Sequence, residues 1–312
     1  ELETFTYKPR PLTKFVIRDP KTRVIRKSNF RDRIVHHALV NILQPIYENV
    51  FIYDSYANRK GKGTSAALQR FDVFKKKATK NGELTENAIN GNMVKCFALK
   101  ADIRHFFDSV HHDLLTEHLQ RTIKDGRVIL LAKMFIKNAD NDKKGIPLGN
   151  MTSQFFANVL LNNLDYFVKH TLKMEYYVRY VDDFIILHKK KEILEECLEK
   201  INNHLKRMKL ELHPTKSKIF PMYHGVDLLG FKVFYHYKLL RKRNLRQVKK
   251  RLLMFKERYN AGTMSDTSIK ESMDGWMAYA MWGDTYALRK NLMKEAEKIF
   301  KDNRQRAEGT PP

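Results

Sequence analysis

The stretch YYVRYVDDFIILH, residues 176–188, decides the fold. Aromatic and β-branched residues, which favour β-strands, dominate both of its halves. A turn at Val181 and Asp182 separates the halves, and the return strand is apolar on both faces, which is typical of a buried strand. The stretch therefore predicts a tight β-hairpin that carries two adjacent acids, Asp182 and Asp183, at its tip.

Two acids at the tip of an apolar hairpin need compensation, because a buried carboxylate without a partner costs several kcal/mol. Bound divalent cations would supply it. Adjacent carboxylates on a strand point to opposite faces, so a third carboxylate from a neighbouring strand would complete a metal site. Asp102 is the candidate, because it ends a strand predicted over 94–103, in which Phe97, Leu99, Ala101 and Ile103 alternate with Cys96, Ala98, Lys100 and Asp102.

Three such carboxylates suit one reaction class. Mg²⁺ prefers oxygen ligands and substrate phosphates, and two Mg²⁺ ions about 3.5–4 Å apart stabilise the attacking 3′-oxygen and the leaving pyrophosphate of an in-line displacement. Asp102, Asp182 and Asp183 therefore predict a two-metal-ion nucleotidyl transfer. An Asp-Asp pair by itself is more often part of an ordinary turn, but Tyr-Val-Asp-Asp between two apolar strands is far more specific.

The charge of the chain favours a nucleic-acid partner. Its 312 residues include 59 Lys and Arg against 35 Asp and Glu, a formal net charge of +24. Each phosphate contact gains free energy from counterion release, so nucleic acid is favoured over the alternatives of a ribosome-associated or merely basic protein. The hydrophobic share of 43% predicts a folded chain.

The sequence carries no sign of an oxidising or membrane environment. Two cysteines, Cys96 and Cys197, are too few for a disulfide framework or a zinc site and predict reduced core thiols. No apolar run approaches the ~20 residues of a membrane span, and no secretory signal is visible. These features favour a cytoplasmic protein, and a start at Glu1 rather than Met indicates a processed or trimmed N-terminus.

Periodicity and turn residues predict the remaining elements. A second hairpin turns at 19–21, and residues 78–93 form a loop. Helices are predicted at 64–74, 111–137, 153–170 and 191–209, and from residue 30 at the apolar repeat Phe30, Ile34, Ala38, Ile42 and Ile46. Short strands near 216–220 and 227–235 precede a basic helical segment from Lys238 onward, whose apolar stripe is Leu245, Val248, Leu252 and Phe255.

Two motifs carry a resemblance to a known family. Tyr180-Val181-Asp182-Asp183 resembles the YxDD box of reverse transcriptases, and LKADIRHFFD, residues 99–108, resembles the motif that supplies their first catalytic acid. The order and spacing also match, and the resemblance spans roughly residues 14–290. It implies an RNA-directed DNA polymerase with an α+β right-hand fold. Fingers with part of the palm would lie at 1–95, a palm with an antiparallel sheet backed by helices at 96–238, and a helical, basic thumb at 239–312.

Carried onto this sequence, the resemblance implies two Mg²⁺ ions, or Mn²⁺ in their place, with four ligands: Asp102, Asp182, Asp183 and the carbonyl of Ile103. The stretch LHPTKSKI, residues 212–219, resembles the motif whose Lys is a candidate proton donor to departing pyrophosphate. Lys216 is the first choice for that role and Lys218 the second.

The resemblance also implies contacts with the incoming nucleotide. Phe107 falls where an aromatic ring crowds a ribose 2′-OH and so favours deoxynucleotides, with the adjacent Phe106 as the alternative. The stretch RVIRKSNFRDR, residues 23–33, resembles the fingers motif whose first Arg holds the triphosphate, and Arg23 is the candidate. Lys21 or Arg18 would take the place of its usual Lys partner.

Three further motifs imply contacts with nucleic acid. YANRKG, residues 56–61, resembles the later fingers box that follows the template, which points to Arg59 and Lys60. LLGF, residues 228–231, resembles the primer grip and points to Leu229 and Gly230. The basic helix beyond Lys238 fits a thumb lying along the duplex backbone, with Lys242, Arg246, Lys249 and Lys250 as its contacts.

The stretch GIPLGNMTSQ, residues 145–154, points to a subgroup. Most reverse transcriptases carry Gln-Gly-x-x-x-Ser-Pro where this chain has Leu148, Gly149, Ser153 and Gln154. This departure resembles the enzymes of diversity-generating retroelements, which copy a template-repeat RNA and misincorporate opposite adenines. Leu148 can neither donate nor accept a hydrogen bond beside the nascent base pair, so pairing geometry would be less tightly constrained. The resemblance implies a small basic accessory protein, forming a ring, as partner.

Three alternatives remain open. A group II intron-like or defence-associated bacterial reverse transcriptase of ordinary fidelity would carry the same acids. A DNA-templated polymerase of similar palm architecture would also carry them. A non-catalytic RNA-binding scaffold is disfavoured, because it would have no need of intact Asp102, Asp182 and Asp183.

Overall fold

The structure is a computed structural model that describes residues 1–18, 22–138 and 143–308, with side chains described as far as residue 298. The chain forms two compact units, each with its own apolar core. The first comprises Glu1–Ala78 and Cys96–Phe220, and the second comprises Thr79–Lys95 and the chain from Pro221 onward. The predicted hairpin and Asp102 both belong to the first unit.

A two-stranded hairpin lies near the start of the first unit. Strand β1 (Thr13–Ile17) pairs antiparallel with β2 (Arg23–Lys27), in a register that places Ile17 opposite Arg23. The predicted hairpin is confirmed, although its turn at 19–21, with Lys21, lies outside the described residues.

The main sheet of the first unit contains the hairpin predicted at residues 176–188. Its strands are β3 (Phe97–Asp102), β4 (Tyr177–Tyr180), β5 (Asp183–His188) and β6 (Lys218–Pro221), in the order β4-β5-β3-β6. β5 pairs antiparallel with both β3 and β4. In this register Asp102 lies opposite Asp183. The prediction that Asp102 comes from a neighbouring strand is confirmed.

The helices of the first unit are α1 (Phe30–Glu48), α2 (Thr64–Ala78), the short α3 (Phe106–Ser109), α4 (His112–Thr122), α5 (Gly126–Lys137), α6 (Met151–Tyr166) and α7 (Lys191–Arg207). A π-helical turn, Phe167–Thr171, continues α6. α2 and α7 pack against the sheet, while α1 and α4 pack against α6. α6 is buried on nearly all sides, because its apolar residues run all round the helix.

The single helix predicted over 111–137 is wrong, because the structure has two. Ile123 follows α4 with extended backbone and a buried side chain. α5 then starts after Asp125, whose carboxylate accepts a hydrogen bond from the Arg127 amide at 2.8 Å. Asp favours the position before a helix over the helix interior, so the Asp125-Gly126 pair was the signal for this break.

Helix α1 is apolar on two faces. Its buried face includes Val35, Leu39, Leu43 and Tyr47. The repeat that predicted the helix lies on the other face, where Phe30 and Ile42 are 68% and 66% exposed. The helix is confirmed, but the repeat beginning at Phe30 does not face the core. A second apolar repeat, displaced by one residue and beginning at Val35, faces the core instead.

The second unit combines a small sheet with three long helices. Strands β7 (Val226–Leu228), β8 (Phe231–Val233) and β9 (Lys238–Leu240) form an antiparallel sheet, and α8 (Lys242–Asn260), α9 (Asp266–Ala280) and α10 (Tyr286–Glu308) follow. The apolar stripe predicted on α8 is confirmed, since Val248, Leu252 and Phe255 are buried. The helical start predicted at Lys238 is wrong, because β9 occupies that position.

Both cysteines are buried and free, as predicted. Within the described ranges, every helix is too short or too polar to cross a bilayer.

Candidate active site

Three acids and one backbone segment lie together at the end of the β3–β5 pair. Asp102 ends β3 and lies opposite Asp183 at the start of β5. Asp182 occupies the hairpin turn, and the Ile103 amide donates to its carbonyl oxygen at 3.2 Å. The structure therefore brings the four predicted metal ligands to one place.

Two lysines engage these acids. Lys216 Nζ donates to Asp102 Oδ2 at 2.9 Å, and the backbone carbonyl of Asp102 accepts from the His213 amide at 2.7 Å, which holds the loop bearing Lys216 beside β3. Of the two lysines predicted as proton donors, Lys216 is the one seen to reach an acid, while Lys218 is exposed. Lys100 Nζ lies 3.5 Å from Asp183 Oδ2.

Lys100 was not predicted as a site residue. It precedes Asp102 by two residues, so both belong to the same face of β3. That shared face was the available signal.

Burial and mutual repulsion shape the electrostatics of the turn. The pKa of Asp182 is raised to about 6, chiefly by burial and then by the charges of Asp102 and Asp183, while a backbone hydrogen bond and the charge of Arg23 oppose the rise. Burial also raises the pKa of Asp183, against the opposing charge of Lys100. Arg23 is exposed on β2 and close enough to act on the turn, as a triphosphate-binding residue would need to be.

The chemistry of the donor set, although not its present spacing, suits a divalent cation. Asp183 Oδ1 is buried and has no hydrogen-bond partner, and carboxylate oxygens are the ligands that Mg²⁺ prefers. Across the described residues, no three Asp, Glu, His or Cys side chains are grouped closely enough to hold an ion together. Asp102 and Asp183 instead engage Lys216 and Lys100 through their Oδ2 atoms.

The turn that carries Asp182 is strained, and the side chain of Arg179 supports it. Val181 has a φ of +57°, a left-handed conformation that is unusual for a β-branched residue. Arg179 Nη1 donates to the Val181 carbonyl oxygen at 3.0 Å. Its guanidinium also pairs with Asp165, at the end of α6, through bonds of 2.7 and 2.6 Å.

Sequence reasoning missed both members of this pair. A charged residue in the otherwise buried strand β4, and an acid at the end of the buried helix α6, were the signals that each needed a partner.

The two candidate rings for ribose selection differ in exposure. Phe106 is fully buried in the core, and Phe107 is half-buried and meets it edge-on, with ring centroids 5.4 Å apart. The Phe107 carbonyl accepts from the Ile146 amide at 2.8 Å, which ties this segment to the residues that precede Leu148. Phe107 is therefore better placed than Phe106 to meet a nucleotide, and its role stays a prediction.

The Leu148 segment is joined to β2 by backbone. The Arg26 amide donates to the Leu148 carbonyl oxygen at 2.8 Å. Gly149 has a φ of +121°, and a Cβ there would lie 2.6 Å from Ile25 Cγ2 and 3.2 Å from the Arg26 carbonyl oxygen. Only glycine allows this approach, so Gly149 is required by packing whatever its part in nucleotide binding.

A buried polar network reinforces the same junction. Ser28 Oγ donates to Asn150 Oδ1 at 2.7 Å, so it accepts from His36 Nε2 at 2.9 Å. His36 Nδ1 lies 2.8 Å from Thr152 Oγ1, and in the neutral imidazole that burial favours it accepts from that hydroxyl.

We expect His36 to make stability depend on pH. Burial lowers its pKa from 6.5 to about 4, with the nearby Asp32 opposing and His37 assisting that change. Between pH 6.5 and about 4, His36 is therefore protonated in the unfolded chain and neutral in the folded chain. Stability is complete above pH 6.5 and falls as the pH drops toward 4, by up to about 3 kcal/mol.

Urea unfolding of wild type and His36→Gln between pH 7.5 and 4 checks this. The variant should lack this part of the pH dependence, and equal pH slopes for the two proteins would contradict it.

The predicted template contacts lie at a groove of about 330 Å³, lined in part by Lys60, Arg59 and Gln154. Arg59 is bound by the protein itself: it pairs with Glu48 at 2.6 Å and donates to the Ile52 carbonyl at 2.6 Å. These bonds favour a structural role for Arg59. Lys60 is exposed and is therefore better placed than Arg59 to make the predicted contact with the template.

The predicted primer-grip residues form a locked turn in the second unit. Leu229 has a φ of +48° and Gly230 a φ of +92°. The Tyr279 hydroxyl donates to the Leu229 carbonyl at 3.0 Å, and Asn244 Nδ2 donates to the Gly230 carbonyl at 3.2 Å. A Cβ at Gly230 would collide with the Tyr279 hydroxyl. The four basic residues predicted on α8, Lys242, Arg246, Lys249 and Lys250, are all exposed.

Comparison with known proteins agrees with this geometry. The family described as Reverse transcriptase (RNA-dependent DNA polymerase) matches residues 17–233. Protein YkfC of Escherichia coli (strain K12) is 27% identical over 289 residues, covering 78% of this chain and 70% of YkfC. Group II intron-encoded protein LtrA of Lactococcus lactis subsp. cremoris is 26% identical over 234 residues, covering 70% of this chain but 36% of LtrA.

Among solved structures, telomerase from Candida tropicalis in complex with a TWJ fragment of telomeric RNA has a TM-score of 0.56 at 14% identity. The match covers 72% of this chain and 43% of the telomerase chain. It shows a shared mixed helix and sheet fold.

Proposed function

The chain belongs to the reverse transcriptase family and carries its RNA-directed DNA polymerase domain, and on this premise we propose that it is the polymerase of a diversity-generating retroelement. It would copy a template-repeat RNA into cDNA with errors concentrated opposite adenines. The observation that carries the proposal is Leu148, an aliphatic residue fixed by its backbone to β2 at a position where most of the family has glutamine.

The proposed layout is that of a right hand. Residues 1–95 would form fingers with part of the palm, 96–238 the palm, and 239–312 the thumb. The sheet β4-β5-β3-β6 supports the palm assignment, because it holds the three acids. The exposed basic residues of α8 support a thumb that lies along the backbone of a template–primer duplex.

In the proposed reaction the chain positions a primer 3′-OH, a dNTP and two Mg²⁺ ions. Asp102, Asp182, Asp183 and the Ile103 carbonyl would hold the ions, which supply charge stabilisation at the attacking and leaving oxygens. Arg23 holds the triphosphate. Lys216 Nζ donates to Asp102 Oδ2 at 2.9 Å. After the Lys216 side chain leaves Asp102, it gives a proton to the departing pyrophosphate.

Phe107 and Leu148 would select the nucleotide. The partly exposed ring of Phe107 excludes a ribose 2′-OH by contact. Leu148 is half-buried and presents no donor or acceptor, so a mispaired base at template adenine meets no polar group that would penalise its displaced edge.

Primer extension on a defined RNA, with Mg²⁺ and all four dNTPs, tests the proposal when the products are sequenced. Errors concentrated opposite adenine support it. Accurate product, or errors spread evenly over the template bases, would contradict the diversity-generating assignment while keeping the polymerase. A parallel DNA template tests RNA dependence, and failure to extend either template with binding intact would favour a scaffold or a need for the accessory protein.

We expect Leu148→Gln to lower the error frequency at template adenines about five- to tenfold, since a net hydrogen bond contributes about 1 kcal/mol. Errors at the other three bases should change little. Leu148→Met, which keeps an aliphatic side chain of similar volume, is the matched control and should keep the wild-type spectrum. An unchanged adenine error rate in Leu148→Gln would remove the role given to Leu148.

A group II intron-like reverse transcriptase of ordinary fidelity is the second candidate. Similarity to LtrA over 70% of this chain favours it. The same sequencing experiment separates the two, because the acids and the chemistry are common to both.

A further inference from the structure

We infer that Arg179 is a positioning residue of the active site, which fixes the orientation of the turn bearing Asp182 without touching substrate. The inference rests on the proposed polymerase function of the acids. It is carried by the hydrogen bond from Arg179 Nη1 to the Val181 carbonyl oxygen, at 3.0 Å.

The turn needs such support because its backbone is strained. Val181 is held at a φ of +57° between the paired residues Tyr180 and Asp183. A β-branched side chain in this region is disfavoured, and such conformations persist only where the surrounding structure over-determines them. Tyr180 and Asp183 fix the ends of the turn, and Arg179 fixes its middle.

The bond to Val181 sets the direction of one peptide plane. A trans peptide is planar, with its C=O and N–H pointing oppositely. With the Val181 carbonyl turned toward the guanidinium, the Asp182 amide must point away from it. The Cα of Asp182 belongs to the same plane. Release of the carbonyl would let this plane rotate and would carry the carboxylate of Asp182 with it.

The guanidinium cannot move to follow the turn, because each of its nitrogens is engaged. Nε and Nη2 pair with the two oxygens of Asp165, and Nη1 also donates to Asn158 Oδ1 at 3.1 Å. Asp165 Oδ1 accepts in addition from the Tyr177 hydroxyl at 2.7 Å. Arg179 and Asp165 are 1% and 0% exposed in their side chains.

The backbone of Arg179 is fixed as well. Its amide donates to the Asp54 carbonyl and its carbonyl accepts from the Tyr56 amide, each at 3.0 Å. Asp165 and Asn158 both lie on α6, the buried helix that begins just after the Leu148 segment. The turn is therefore held to α6 through the side chain of Arg179 and to the 54–56 segment through its backbone.

Buried ion pairs are weak contributors to stability, since apolar side chains of similar volume often serve as well. A contribution to stability alone does not account for a buried Arg–Asp pair at this point. A requirement for a fixed hydrogen-bond donor to the carbonyl of Val181 accounts for the buried pair.

The test compares the full chain with a variant that removes the ion pair and the hydroxyl bonded to it while filling their volume: Tyr177→Phe, Asp165→Leu and Arg179→Met together. Arg179→Ala alone is unsuitable, because it leaves Asp165 buried and unpaired. Tyr177→Phe by itself is the matched control, since it keeps the bond from Arg179 to Val181.

We expect the triple variant to bind RNA–primer duplex normally and to lose kcat about a hundredfold, as a 1 Å displacement of a reacting group does. KM for dNTP should change little. In metal-free protein, hydrogen exchange at residues 180–184 should rise while exchange in the rest of the sheet is unchanged. Addition of Val181→Gly, which adopts positive φ without strain, should restore part of the lost kcat.

Wild-type kcat in a folded triple variant, or unchanged exchange at 180–184, would overturn the inference. If the triple variant does not fold, Arg179→Lys replaces it, since it keeps the charge beside Asp165 but lacks the fork that reaches both partners. The same two readouts then decide. A wild-type chain that extends no primer would remove the proposed function, and the exchange measurement would still decide the role of Arg179.

Discussion

Asp182→Asn will abolish primer extension, lowering kcat at least about a thousandfold, a loss of ~4 kcal/mol of transition-state stabilisation. The substitution keeps the shape of the side chain and removes its charge, so the proposed metal site loses a charged ligand. RNA and primer binding should persist, because Asp182 makes no phosphate contact in the proposed reaction. Single-turnover extension and duplex binding, measured on the same preparation, check this, and retained synthesis would end the two-metal assignment.

The same variant should be more stable than the wild type when metal is absent. The pKa of Asp182 is raised by burial to about 6 from 3.8. The wild type therefore loses stability as the pH rises from about 4 through 6. The variant should escape that loss and gain about 1–3 kcal/mol in free energy of unfolding at pH 7. The gain should vanish below about pH 4, and a gain that persists there would point to another cause.

Phe107→Ala should admit ribonucleotides, lowering the preference for dNTP over NTP about a hundredfold, which corresponds to ~2.7 kcal/mol. The ring excludes NTPs by steric contact with the ribose 2′-OH. Its removal therefore relaxes the selection of dNTP over NTP more than it slows dNTP incorporation. Competition between dNTP and NTP in primer extension measures the effect. Phe107→Tyr keeps the ring and should keep the exclusion.

Phe106 supplies the contrast. It is fully buried, so Phe106→Ala should cost about 3–5 kcal/mol of stability and leave sugar selection as it is in whatever protein remains folded. Continued exclusion of ribonucleotides by Phe107→Ala would move the selecting ring elsewhere.

The acids were predictable because local pattern and strand register agree. Alternation placed Asp102 at a strand end, the apolar hairpin placed Asp182 and Asp183 at its tip, and antiparallel pairing brought Asp102 opposite Asp183. Each step depends on residues close together in sequence or on a strand period of two.

Partners that come from distant sequence were not predictable in this way. The bonds from Arg179 to Asp165 and from Lys100 to Asp183 depend on how helices and strands pack. The resemblance of residues 56–61 to the later fingers box suggested a template contact for Arg59, but Glu48 already engages its guanidinium. The two apolar repeats of α1 are equally periodic, and only tertiary packing decides which of them is buried.

The backbone bond between Arg26 and Leu148 has an evolutionary consequence. It involves no side-chain atom of residue 148, so the identity of that residue is free to change while the loop stays in place. The leucine codons CTA and CTG each differ from a glutamine codon by a single nucleotide. If Leu148 sets the error rate as proposed, a lineage could exchange mutagenic copying for faithful copying by one point mutation, and natural selection would act on copying accuracy almost independently of folding.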